Sequence, residues 1–347
     1  MLHLRKRKIK TVRQLIAALH GAVRLELATL PPYLTAYYSI KPDTNRHAAM
    51  ILLSVAREEM LHLCIACNIL NAVGGHPAIA VPGFPPHYPG KLPMDIGKEP
   101  GLRGKPFIVP IKKASIELIE KIFMTIEEPE NPLEFPIDET DSHPDYHTIG
   151  AFYVAIDAAI QRLGNSIFIG DPKLQVTGWF PPEELFPVSD VDSASRAINI
   201  IIEQGEGTST APTDPEGRNA HYYRFSEIVK GRRLVPNANA PLGYSYSGMP
   251  IPFDPDGVWP MVDNPSIVQL PANSLVARYA DEFDESYTTL LHAIDATVNG
   301  DPSQLDVAVG VMYALRVQAL QLMTTPIPDM DGVNAGPRWK YLPSSTA

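Results

Sequence analysis

The chain has 347 residues, 45% hydrophobic and 20% charged, enough to bury one large core or two modest ones. Its 29 basic and 39 acidic residues leave a formal charge of -10, which argues against nucleic acid or an anionic membrane as the main partner. Two cysteines, Cys64 and Cys67, make no disulfide framework, and with no second pair to complete a zinc site they read as packing residues.

In chain order, the basic start from Arg5 to Lys10 leads into Thr-Val-Arg-Gln-Leu rather than an apolar signal core. No run approaches the roughly 18 apolar residues of a membrane span, so a cytoplasmic protein without membrane contact is expected. A first helix is predicted over 11–40. Within it Glu26 stands alone among apolar residues, and Pro31 and Pro32 cannot donate to the carbonyls of Leu27 and Ala28, so the helix is expected to bend or restart there. Pro42-Asp43-Thr44 breaks the chain before a second helix over 44–73, which Gly74-Gly75 ends.

Residues 76–110 are rich in Pro and Gly and read as an ordered loop of lid or binding-loop length, with His87 and Tyr88 at a substrate entrance. A short strand-like piece from Phe107 to Ile111 and a helix from Ser115 to Thr125 follow, then a loop from Glu128 to Asp145. The third bundle helix is placed over 146–163, with Ile149, Phe152, Ile156 and Ile160 as its stripe and Tyr153 and Asp157 at the edge. The fourth covers 191–206, and His221 opens a further short helix. A Pro/Gly-rich stretch precedes two last helices over 272–298 and 303–323. The fold class is therefore all-α: one helical bundle domain over 1–347 with long loop insertions and two additional C-terminal helices.

Chemistry concentrates in the second helix. Glu59 and His62 are three apart, which leaves their side chains roughly 60° apart and one turn along the axis, able to grip one ion. With Ile51 as zero, Val55, Ala66, Ile69 and Val73 fall within about 0 to 60°, His62 near 20° and Glu59 near 80°, so the pair points into the apolar stripe. A buried carboxylate and imidazole need partners, and a metal supplies them. Glu58, at about 340°, could chelate with His62 instead. The candidate metal ligands are Glu26, Glu59, His62, Glu203, Glu206 and His221, with Asp157 as an extra. Four carboxylates and two imidazoles are the inventory of a bundle holding two iron or manganese ions. Tyr33 and Tyr37, about 7 and 11 residues from Glu26, share its face on an unbroken helix, and Tyr33 is a candidate electron relay, with ordinary packing as the alternative.

Several segments carry a resemblance: Leu25-Glu-Leu-Ala-Thr-Leu-Pro-Pro-Tyr33, Arg57-Glu-Glu-Met-Leu-His-Leu63, Asn68-Ile-Leu-Asn-Ala-Val-Gly-Gly75, Tyr88-Pro-Gly-Lys-Leu-Pro93, Glu203-Gln-Gly-Glu-Gly-Thr208, Tyr287-Thr-Thr-Leu-Leu291 and Ala335-Gly-Pro-Arg-Trp-Lys-Tyr341. Together they resemble the ferritin-like domain of the iminophenyl-pyruvate dimer synthases of violacein and rebeccamycin biosynthesis, enzymes with much longer chains. The resemblance implies a ferritin-like bundle and a metal-dependent oxidoreductase of oxidase or oxygenase type. It implies iron, one or two ions, with manganese as a substitute, and oxidative coupling of a small aryl-pyruvate imine with dioxygen or peroxide as oxidant. The family's third helix carries an acidic residue where this chain has Ala151. An iron-oxidising or iron-handling protein and a metal-free scaffold remain as alternatives, and a homo-oligomer is compatible with each.

Overall fold

In the computed structural model, residues 9–95, 106–129, 148–208, 211–240 and 242–343 are described. Helix α1 (Val12–Ser39) is N-capped by Thr11, whose hydroxyl accepts from the Gln14 N–H. It buries Leu15, Leu19, Ala22, Val23 and Glu26 along one face and continues through Pro31 and Pro32 without restarting. The Ala28 carbonyl, which Pro32 cannot serve, accepts from the Tyr88 hydroxyl at 2.7 Å.

A short connection folds α2 (Arg46–Ala72) back along α1. Asn68 accepts from the Val176 N–H at 2.7 Å and donates to its carbonyl at 2.8 Å, fastening the segment that follows the third bundle helix. Next come α3 (Ile116–Leu118), a π-helical turn (Ile119–Phe123) and α4 (Met124–Ile126), one unbroken run where the sequence reading placed a plain helix. Single π turns inside helices recur at functional sites. The strand-like stretch from Phe107 to Ile111 is only an isolated bridge between Gly90 and Val109, too short to form a ladder.

Helix α5 (Ile149–Leu163) begins where the Thr148 hydroxyl accepts from the Ala151 N–H, three residues later than expected; of the predicted loop, Glu128 and Pro129 are non-helical as expected, and its remainder to Asp145, with Tyr146, lies outside the described residues. Helix α6 (Val191–Glu206) starts at a reciprocal Asp190–Ser193 cap. These two pack on each other, and α5 on α1 and α6 on α2 close a four-helix bundle. Helix α7 (His221–Lys230) reaches α2, α6 and the π turn. It precedes a two-stranded antiparallel ribbon of β1 (Val235–Pro236) and β2 (Tyr244–Ser245).

Helices α8 (Leu275–Thr297) and α9 (Gln304–Met323) form a second hairpin, which meets the bundle through α1 and α9. Trp339, downstream of it, sits edge-on to Phe283 and Tyr287 and donates to the Thr35 hydroxyl at 2.8 Å. Helix α9, at 20 residues and a mean hydropathy of 1.3 over its most apolar stretch, is by length and composition long and apolar enough to cross a membrane, although Asp306, Arg316 and three glutamines interrupt it, and 22% of that stretch is buried. Cys64 and Cys67 are buried free thiols, and burial pushes Cys64 up to about 12, which suits packing rather than redox use.

Candidate metal centre

The apolar stripes of α1 and α2 carry their few charged residues to one level of the bundle. Glu26 comes from α1, and Glu59 and His62 from adjacent turns of α2; all three are almost completely buried. A second triad shares Glu59 and adds Glu127, just past α4, and His221, the first residue of α7. In each triad one ligand-type atom per residue lies within 4.8 Å of the others. Nδ1 of His62 is 3.5 Å from Glu59 and 3.8 Å from Glu26, while Nδ1 of His221 is 3.0 Å from the same Glu59 oxygen and 3.3 Å from Glu127. The two imidazoles lie nearly parallel with ring centres 5.4 Å apart.

The outer nitrogens fix which way each ring faces. Nε2 of His62 is 2.9 Å from Oε1 of Gln204, an acceptor that suits an Nε2–H, and Nδ1 is turned toward the carboxylates. Nε2 of His221 donates in the same way to Glu58 at 2.9 Å, and Arg224 clamps that carboxylate from behind. Two phenols and a hydroxyl orient the carboxylates: Tyr153 donates to Glu26 and Tyr33 to Glu127, each at 2.5 Å, and Thr29 lies 2.6 Å from Glu59.

Electrostatics shows what the cluster lacks. Burial and the charge of Glu59 push the Glu26 carboxyl well above its ordinary value, although Tyr153 opposes the shift. Burial and Glu59 also raise Glu127. Glu59 is itself buried, yet His221 and His62 outweigh that and hold it well below the usual range. For His221 burial is overcome by Glu127, Glu58 and Glu59, which raise it well above 6.5. Glu58 is held down at about 2, because His221 and Arg224 outweigh its burial. Beside Glu26, Glu59, His62 and Glu127 lies a cavity of about 10 Å³, near the size of one water or one ion, lined by four carboxylates and, among the described residues, by no lysine or arginine. Carboxylates crowded until some must hold protons, around imidazole nitrogens turned inward, form a donor set that a divalent cation fits in place of those protons.

The candidate residues named from sequence divide clearly. Glu26, Glu59, His62 and His221 come together. Glu206 borders the cavity and accepts from the Gly150 N–H at 2.8 Å; a Cβ on Gly150 would stand 2.4 Å from that carboxylate, so only glycine lets it approach. Glu203 is not brought in: one helical step from Gln204 turns it outward, where partial burial and the carboxylates of Glu216 and Asp214 raise it. Asp157 instead accepts from the Ser195 hydroxyl at 2.5 Å, tying α5 to α6. Glu58 backs His221 rather than chelating with His62. Tyr33 reaches the cluster; Tyr37 does not, and lies under the Arg316 guanidinium. His87 is exposed in its loop and is not among the residues lining the cavity.

Sequence reasoning missed Glu127 and Gln204. Glu127 falls four residues after Phe123 on the buried stripe of Ile119, Phe123 and Ile126, and Gln204 continues Ala197 and Ile201, so both were within reach of the periodicity. Glu58 gives a direct check on the outer contacts. Glu58→Gln, which keeps the shape and removes the charge behind His221, should weaken metal binding by about 10- to 100-fold in competition with a chelator. An unchanged affinity would show that the Glu58–Arg224 pair does not tune the imidazole.

Known proteins add to this geometry. The chain is 23% identical over 392 aligned positions to the dichlorochromopyrrolate synthase of Lentzea aerocolonigenes; the match takes in 96% of this chain and 36% of that enzyme, so the chain spans about a third of its relative. Its fold is similar to the crystal structure of a ferritin-like protein from Caulobacter vibrioides, with a TM-score of 0.66 and 24% identity, over 96% of this chain and 99% of that one. The family model described as ferritin-like matches residues 19–230, the stretch that holds Glu26, Glu59, His62, Glu127 and His221. A four-helix bundle with its acidic cluster inside that match makes the chain a member of the ferritin-like family.

Proposed function

We propose that the chain is a non-heme iron enzyme of secondary metabolism that oxidises a small aromatic substrate of the aryl-pyruvate imine class. The observation that carries this reading is the shared Glu59 between two buried Glu/His triads. Glu26, Glu59 and His62 would hold one ion, and Glu59, Glu127 and His221 the other, with manganese as a substitute. Bound iron would supply the one-electron steps that carry electrons from substrate to dioxygen or peroxide.

The residues of the chain set the conditions for that chemistry. Burial and the surrounding carboxylates push Tyr33 and Tyr153 well above 10, so both phenols keep their protons and hold Glu127 and Glu26 in fixed orientations. The small cavity keeps bulk water from the carboxylates. Glu206, tied to the first turn of α5 at its rim, is placed to join the ligand set or to close the approach. Similarity to an enzyme whose name is that of a synthase supports a biosynthetic role over iron storage.

Oxygen uptake tests the reading. Iron-loaded protein, given an aryl-pyruvate mixed with ammonium so that the imine forms without a second enzyme, should consume dioxygen or peroxide several-fold faster than protein and iron alone. Oxidation of ferrous ion that ignores every organic substrate would replace the reading with iron handling.

A further inference from the structure

On the far side of α1 and α2 from the triads, an open groove of about 440 Å³ runs between these helices, α9 and the Trp179–Phe180 segment. That volume is in the range of small-molecule sites. Tyr37, Trp179, Phe180 and Tyr313 wall it, and Arg57 and Arg316 stand in it. Among the described residues no carboxylate lines it and neither arginine has an ion-pair partner. In a chain of formal charge -10, two uncommitted guanidiniums in an aromatic groove reverse the local sign. Arg316 is already stacked over Tyr37, 5.2 Å from the ring centre, which keeps its donors fanned beside an aromatic face. The inner end shares Tyr38 and Met312 with a narrow apolar cavity of about 40 Å³ between the bundle and the α8–α9 hairpin.

We propose that this groove binds a small carboxylate or similar anion carrying a flat aromatic body, with the rings between Tyr37, Trp179 and Tyr313 and the anion on Arg57 and Arg316. The groove is lined by none of the triad residues, so the proposal stands apart from the metal reading. A second copy of the chain suits it less well: a twofold contact here would bring the arginines of both copies together with no carboxylate in the groove to separate them.

The test uses the full chain and two probes of equal shape, naphthoate and its neutral counterpart naphthylmethanol, followed by equilibrium dialysis. Naphthoate binding should saturate. The double variant Arg57→Gln/Arg316→Gln should weaken naphthoate by about tenfold or more while changing naphthylmethanol by less than about twofold. Met312→Trp, which fills the inner end, should abolish both, with helix content unchanged by circular dichroism. Iron content should stay at the wild-type level in all variants, so failure here and failure of the metal reading are separate results. No saturable naphthoate binding, equal affinity for the two probes, or self-association that Tyr313→Arg abolishes would each overturn the proposal.

Discussion

Glu59→Gln should leave the protein folded and nearly free of iron after loading and gel filtration, at about a tenth or less of the wild-type content, since on the proposed reading it removes a ligand that both triads would use, which should cost at least the roughly 100-fold at the upper end for an outer partner. Glu59 is the only residue common to both triads, so one substitution weakens two positions at once. The amide fills the same volume and can still accept from Thr29, so no cavity opens. In the metal-free protein the change removes the anion that His221 and His62 hold, but also the charge that raises Glu26 and Glu127. These effects oppose each other, and metal content rather than melting temperature is the informative readout. Wild-type iron content in Glu59→Gln would sink the shared-ligand arrangement, and oxygen uptake should fall in step with the iron.

The stabilisation conferred by metal should grow as pH rises. Glu26, Glu127 and His221 are all raised in the folded, metal-free chain. A group raised on folding contributes stability that is complete below its unfolded value and lost as pH climbs through the folded one. The metal-free protein should therefore lose stability from about pH 5 upward, beginning at the ordinary carboxylate range. Glu58 has the opposite sign, but its folded value of about 2 leaves its contribution constant across this window. An ion that takes the place of those protons binds more tightly as they leave, by about tenfold, or ~1.4 kcal/mol, per pH unit for each proton displaced. Melting curves with and without ferrous iron, recorded anaerobically between about pH 5.5 and 8, should separate progressively. A gap that is constant with pH would mean that the ion does not displace the protons of these groups.

Much of this architecture was legible because helical periodicity and its breaks are local. Glu59 and His62 could be placed together from their spacing alone, and the apolar setting of Glu26 marked it correctly as an inward carboxylate. The pairing of Glu26 with Tyr153 depends on how α5 packs on α1, which no window of sequence contains. Glu127 was obscured by its acidic neighbours: Glu127-Glu128-Pro129-Glu130 reads as a solvated turn, while in the fold the π turn and the approach of α7 carry its first residue inward. This supplies an inward carboxylate from the segment ahead of the third bundle helix, in a chain that has Ala151 on that helix. Glu203 and Glu206 differ by one turn, and a composition-level reading could not tell that Gln204 would face His62.

The contact between Tyr88 and Ala28 changes what the Pro/Gly-rich excursion means for the history of the chain. A loop that merely joins two helices can lengthen, shorten or be exchanged at little cost, and proteins usually vary there first. Here one side chain of the excursion serves one of the two carbonyls that a proline pair leaves without a helical donor, two residues beyond a candidate ligand. The hydroxyl of Tyr88 stands where the missing N–H of Pro32 would have donated, so a residue other than proline at position 32 would remove the need for it.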